Sequence, residues 1–150
     1  YDCIIQFLKE ASQYEHEIIL GTDSQPFNTG TFLVSVIAVL CDDKEYHCRY
    51  FYLEHRNRPR HHSLYERIFC ETQTTIDLAS NIREIIPHAN ITIHLDVSSE
   101  NSTHRTGRFS RSLVAIVRGY GYDSVEVKPN AWCASKLADR HTKRIPSWLR

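Results

Sequence analysis

The stretch Ile18-Ile19-Leu20-Gly21-Thr22-Asp23-Ser24-Gln25 places a carboxylate where an apolar run gives way to small polar residues. The arrangement recurs at Ile91-Thr92-Ile93-His94-Leu95-Asp96-Val97-Ser98, with Asp96 standing 73 residues after Asp23. Both read as strands that end in an aspartate. An apolar strand gains no stability from an unpaired carboxylate at its mouth, because partial burial of such a charge costs several kcal/mol. A bound divalent cation removes that cost, and hard cations take oxygen ligands from carboxylates that converge from separate strands. The competing reading is that both aspartates simply open turns.

Working outward, Cys3 to Tyr14 carries Ile4, Ile5, Phe7, Leu8 and Ala11 near helical spacing and predicts a leading helix. Ile18 to Asp23 is the first strand, Thr31 to Cys41 a β-branched second strand, and the alternation from Glu45 to Glu54 a third, joined by turn residues into an antiparallel meander. The period then changes to about 3.6. Ile68, Thr72, Thr75, Ile76, Ala79, Ile82 and Ile86 fall on one side of a helix from Ser63 to Ile86, which Pro87 stops and a Ser63-Leu64-Tyr65-Glu66 capping box starts. A fourth strand at Asn90 to Asp96, a helix at Ser110 to Tyr120, a fifth strand at Ser124 to Lys128 and a last helix from Pro129-Asn130 to about His141 complete the order βββαβαβα. The whole chain, 1–150, reads as one α/β domain with a mixed five-stranded sheet flanked by helices.

The balance of 18 Lys/Arg against 18 Asp/Glu conceals an asymmetry. Residues 1–54 carry 3 basic and 9 acidic side chains and residues 55–150 carry 15 and 9, so the two parts are −6 and +6. The surplus lies in three basic loops, around Arg56, Arg58 and Arg60, around Arg105, Arg108 and Arg111, and at Arg140 to Arg144. Cationic loops beside a carboxylate pocket suit a polyanion, although such runs are also ordinary solvated surface. The 5 cysteines include no C-x-x-C pair, which argues against a disulfide framework or a cysteine-rich zinc site. His55, His61 and His62 cluster, but no zinc ligand set can be completed around them. No apolar run spans a bilayer and no secretory leader is visible, so a soluble, cytoplasmic protein without a membrane partner is expected. With no methionine in the sequence, a trimmed chain or a fragment is expected.

The element order resembles the ribonuclease H (RNase H) fold, with an acid ending the first strand, acids in the long helix and an acid ending the fourth strand. Within it, the chain is similar to the YkuK family of predicted RNase H-like nucleases. That resemblance rests on Gly21-Thr22-Asp23-Ser24-Gln25, Ser63-Leu64-Tyr65-Glu66 with Glu71-Thr72, His94-Leu95-Asp96, Lys128-Pro129-Asn130 with Ala134-Ser135, and Ala138-Asp139-Arg140-His141-Thr142-Lys143.

The resemblance implies a nuclease that uses two cations, Mg²⁺ or Mn²⁺, to hydrolyse phosphodiester bonds, leaving a 3′-hydroxyl and a 5′-phosphate. Asp23 and Asp96 match its strand-end ligands. The helix ligand is Glu66 or Glu71. Glu66 belongs to the capping box on the side of Cys70, Gln73 and Asp77, whereas Glu71 shares the inward face with Ile68, Thr75 and Leu78, which favours Glu71. Asp139 matches the terminal-helix acid, with His141 or His104 as proton carrier; its other reading is a surface ion pair with Arg140 or Lys143. Asn130 stands where the family often has an aspartate, which implies a weaker second cation site. Ser24, Gln25, Arg56, Arg58, Arg60, Arg105, Arg108 and Lys143 are the expected contacts to a nucleic acid, DNA, RNA or hybrid, held by its backbone. Two other classes stay open: a catalytically silent nucleic-acid-binding or scaffolding module, and a metal-dependent phosphatase on small esters.

Overall fold

The computed structural model describes residues 2–11, 15–27, 30–41, 49–59, 61 and 63–144. Helix α1 (Asp2–Ala11) precedes strands β1 (His16–Pro26), β2 (Thr31–Cys41) and β3 (Arg49–Arg58); α2 (Leu64–Ile85), β4 (Asn90–Ser98), α3 (Gly107–Gly119) and β5 (Val125–Lys128) follow. A π-helical turn, Cys133–Ala138, runs directly into α4 (Asp139–Thr142). The sheet order is β3-β2-β1-β4-β5, with β1–β2 and β2–β3 antiparallel and β1–β4 and β4–β5 parallel. This is the mixed five-stranded sheet expected from the sequence.

Strand period sorts side chains between the two faces. Ile18, Leu20, Ile37, Ile91, Ile93 and Leu95 point one way and form a core with α1, α2 and α3, through residues such as Leu8, Ile76 and Leu113. Ile19, Val36 and Ala38 point the other way and, among the described residues, cluster with buried Cys133 and Ala138 and partly buried Leu40, Trp132 and Leu137, a much smaller cluster. Helix α2 starts where predicted. Ser63 Oγ accepts from the Glu66 N–H at 3.1 Å, and Glu66 Oε2 accepts from the Ser63 N–H at 3.2 Å, satisfying donors that an uncapped helix leaves open.

Several boundaries differ from the sequence reading: β1 begins at His16, and β1 and β4 do not end at Asp23 and Asp96 but run on to Pro26 and Ser98. Strand β3 continues to Arg58, pairing Leu33 with His55 and Thr31 with Arg58 across a register shift, so His55 to Arg58 belong to the sheet rather than to a basic loop. The long, apolar β2 offers a ladder that far, and backbone pairing outweighs the local polarity of the basic run. Helix α3 begins at Gly107, three residues before the predicted Ser110. The last helix divides into the π-helical turn and the short α4, beginning at Cys133 rather than at Pro129. Residues 42–48 of the expected third strand and 12–14 of the leading helix lie outside the described residues.

Candidate acidic active site

Asp23 and Asp96 are brought together by register. The β1–β4 ladder runs from Glu17↔Asn90 to Gly21↔His94, and the same offset two residues on sets Asp23 beside Asp96, on the face covered by the π-helical turn. Both strands continue past their last pair, to Pro26 and Ser98, so the two acids flank a split between parallel strand ends. Crevices at the carboxyl ends of parallel strands are where open α/β sheets take ligands.

Glu71 approaches from the opposite face, on α2. Ser24 Oγ donates to Glu71 Oε1 at 2.5 Å, and one helical turn later Thr75 Oγ1 donates to Thr22 Oγ1 at 2.8 Å. Two residues of strand and four of helix each advance roughly 6–7 Å, so the pairs Thr22/Ser24 and Thr75/Glu71 match in spacing. Thr22 also shares a proton with Ser35 Oγ at 2.8 Å, and Ser35 meets His55 Nε2 at 2.9 Å, which ties α2 to three strands through a buried polar chain. Arg67 Nη1 donates to the Ser24 carbonyl at 3.1 Å. Glu71 is thus the inward acid of the helix, whereas Glu66 is engaged in the exposed capping box.

The terminal segment supplies the third side. A Cβ on Gly21 would stand 2.6 Å from the Ala134 backbone nitrogen, so only glycine lets the π-helical turn lie directly on β1. That approach delivers Thr142, whose Oγ1 donates to Asp23 Oδ2 at 2.6 Å. Asp139 pairs with Lys143 at 2.6 Å, one turn along. Asp96 Oδ1 lies 2.8 Å from Lys128 Nζ as an ion pair, but without hydrogen-bond alignment, so this buried oxygen accepts no hydrogen bond among the described residues.

The electrostatics reflect crowding of like charge. Burial, aided by the charges of Asp96 and Asp139, pushes the Asp23 carboxyl up to about 6 despite the Thr142 hydrogen bond. Burial pushes Glu71 further, to about 8, with Asp23 and Asp96 adding to the rise and Ser24 and Arg67 opposing it. Hydrogen bonding to Asp139 raises Lys143. Metal fit is mixed. The all-oxygen donor set suits a hard divalent cation, yet no three His, Cys, Asp or Glu side chains among the described residues stand together closely enough to hold an ion. Each carboxylate is turned toward a protein partner instead: Asp23 to Thr142, Glu71 to Ser24, Asp96 to Lys128 and Asp139 to Lys143.

The family model for ribonuclease H-like proteins matches residues 1–143. The chain belongs to the ribonuclease H-like family. No curated protein and no solved structure matches this ribonuclease H-like chain.

The remaining predicted residues of this ribonuclease H-like chain lie at varied distances from the split. Ser24 is buried and committed to Glu71, while Gln25 is exposed beside it. Arg105 and Arg108 are exposed, the latter with its guanidinium 4.6 Å over the Phe109 ring. The side chains of Arg56 and Arg58, and all of Arg60, fall outside the described residues. His141 stacks on Tyr52 of β3 at 4.0 Å, where burial and then Arg144 and Arg140 lower its pKa. His104 is exposed. Sequence reasoning did not single out Thr142, Lys128 or Arg67 as partners of the acids. The first two stand inside quoted motifs, but only folding shows that they meet Asp23 and Asp96.

Proposed function

We infer that this chain is a divalent-metal-dependent nuclease that hydrolyses phosphodiester bonds, with Asp23, Glu71, Asp96 and Asp139 as the ligand set. The observation that carries the reading is that Asp23 and Asp96 each stand two residues past Gly21↔His94, the last pair of the parallel β1–β4 ladder, with the buried Glu71 close enough to feel both charges, in a ribonuclease H-like chain. Mg²⁺ or Mn²⁺ would supply water activation and neutralise the charge on the leaving oxygen. The chain's own residues prepare the site. Thr142 and Ser24 hold Asp23 and Glu71 in fixed rotamers, and Lys128 and Lys143 balance Asp96 and Asp139 until a cation and a phosphate displace them. The finer YkuK resemblance, the number of cations and the identity of the nucleic acid belong to this same proposal.

Incubating the protein with single-stranded, duplex and hybrid oligonucleotides in Mn²⁺ tests it. Cleavage that falls by about 100-fold or more in Asp23→Asn, with the fold retained by circular dichroism, supports the reading. Undiminished turnover in that variant places catalysis elsewhere. A second reading, a silent nucleic-acid-binding module, draws on the two lysines already paired with Asp96 and Asp139. It predicts binding without cleavage by the wild type.

A further inference from the structure

On the face of the sheet that carries the acids, but toward the starts of β1 and β4, lies a groove of about 600 Å³. Glu17, Thr92, His94, Glu126, Pro129 and Trp132 contribute to its walls. None of these was assigned a part in the acidic site. The volume falls in the range of roughly 300–1,000 Å³ that accommodates small organic ligands.

His94 is the informative residue. It is only 3% exposed, and its Nδ1 accepts the Cys133 backbone N–H at 3.1 Å. A ring nitrogen that accepts a hydrogen bond carries no proton, so the imidazole is the neutral tautomer with its hydrogen on Nε2. That Nε2–H has no acceptor among the described residues, and His94 lines the groove. Although the residue as a whole is buried, this nitrogen is not among the sealed-off polar atoms, so the N–H is open to an acceptor that enters the groove.

What stands beside the donor defines the ligand. His94 and Glu126 are direct partners across the β4–β5 ladder, so their side chains share one face of the sheet. Glu126 Oε2 accepts from Asn130 Nδ2 at 3.3 Å, which leaves Oε1 without a hydrogen bond among the described residues. Glu17 Oε1 is occupied by the Thr92 hydroxyl at 2.6 Å. The groove therefore offers one N–H donor next to an open carboxylate, with the Trp132 ring packed at 83° against the imidazole, 5.3 Å away, and Pro129 also in the lining.

We propose that this groove binds a guanine base. Guanine alone among the common bases places a carbonyl oxygen next to two N–H donors on one edge, which matches a donor beside a carboxylate. Its O6 accepts from His94 Nε2–H, and its N1–H and N2–H donate to Glu126. Two carboxylates in the groove repel phosphate. The backbone of such a nucleotide leaves past Lys136 into the adjoining groove, lined by Lys128, Lys136 and the hydroxyls of Ser98, Ser102 and Ser135. The inference rests on the groove alone, independent of the metal chemistry.

The test is calorimetric titration of guanosine 5′-monophosphate into the whole chain in the presence of EDTA, with the adenosine, cytidine and uridine monophosphates in parallel. The guanine nucleotide is expected to bind about tenfold or more tightly than the others, and Glu126→Gln to weaken it by about tenfold, a difference of one decade in Kd. Nitrogen-detected spectra should show the His94 ring with its proton on Nε2 and a shift of that resonance as the ligand is added. Four nucleotides binding alike would assign recognition to the phosphate and overturn the proposal. So would no binding at millimolar ligand, or unchanged affinity in a folded Glu126→Gln variant. Guanine binding by a protein that cleaves nothing would keep this inference and remove the nuclease reading.

Discussion

The two faces of the sheet hold their acids by unlike means. Glu71 sits on a 22-residue capped helix that packs on the main core and is tied to β1 through Thr75–Thr22 and Glu71–Ser24. Asp23 faces the π-helical turn and the four-residue α4, whose buried apolar contacts are few and whose approach depends on Gly21. One face is held by burial and the other by close backbone approach and a single threonine. The contrast predicts that the α2 side of the acidic site is the more rigid and the side of the π-helical turn the more adjustable.

The largest expected effect concerns charge on the rigid face. Glu71 and Asp23 have folded-state pKa values raised to about 8 and about 6 from 4.5 and 3.8. Their protonated forms therefore add stability that is complete below about pH 4 and is lost as pH rises through those values. The metal-free protein should become less stable from about pH 4 to pH 8. The upper bounds are on the order of 5 kcal/mol for Glu71 and 3 kcal/mol for Asp23. Denaturant melts of Glu71→Gln at pH 8.5 should show a gain over wild type, larger than that of Asp23→Asn, and both gains should vanish near pH 4. A loss of stability in Glu71→Gln at pH 8.5 would mean that the carboxylate is compensated more fully than its surroundings indicate.

Gly21→Ala sharpens the contrast on the adjustable face. The added methyl meets the Ala134 backbone at 2.6 Å, where no flexible side chain can yield. Overpacking of this kind costs about 1–3 kcal/mol, and the melting temperature should fall accordingly. Hydrogen exchange should speed up in the π-helical turn and α4 while α2 keeps its protection. Equal deprotection of α2 would show that the two faces unfold as one unit.

A smaller effect is expected from Thr142→Val, which removes the hydroxyl donated to Asp23 at 2.6 Å and keeps the shape. At pH 8 the loss should be about 1–2 kcal/mol, and at pH 4, with Asp23 protonated, less. The same substitution should raise the Asp23 pKa further, a shift that carbon-detected titration of the carboxyl reads directly. Smallest of all, replacing Arg105 and Arg108 together with alanine should flatten the slope of log affinity for oligonucleotide against log salt by about 1–2. An unchanged slope would move phosphate contact away from that exposed loop.

The strands, the long helix and their order were legible because each carries a clean period: Ile18, Leu20 and Thr22 alternate with Ile19, Gly21 and Asp23, and α2 opens on a capping box. The inward direction of Glu71 was legible from its spacing to Ile68, Thr75 and Leu78. Less legible was the end of β3, where His55 to Arg58 look like loop by composition and are strand because β2 offers them a ladder. The partners of the acids were hidden for a related reason. Thr142 lies 119 residues from Asp23, and nothing local marks it until Gly21 brings the last segment onto β1. The open donor on His94 depends on Cys133, 39 residues away, and a single sequence carries no sign of that pairing.

The central claim, that Asp23, Glu71 and Asp96 form a cation site once their present partners let go, is tested most directly by locating Mn²⁺ by anomalous scattering in crystals grown at pH 8. An ion in ligand contact with Asp23 and Asp96, with Lys128 swung away from Asp96, is the predicted result. Mn²⁺ bound elsewhere, or absent while Lys128 and Thr142 still hold the two aspartates, would contradict it.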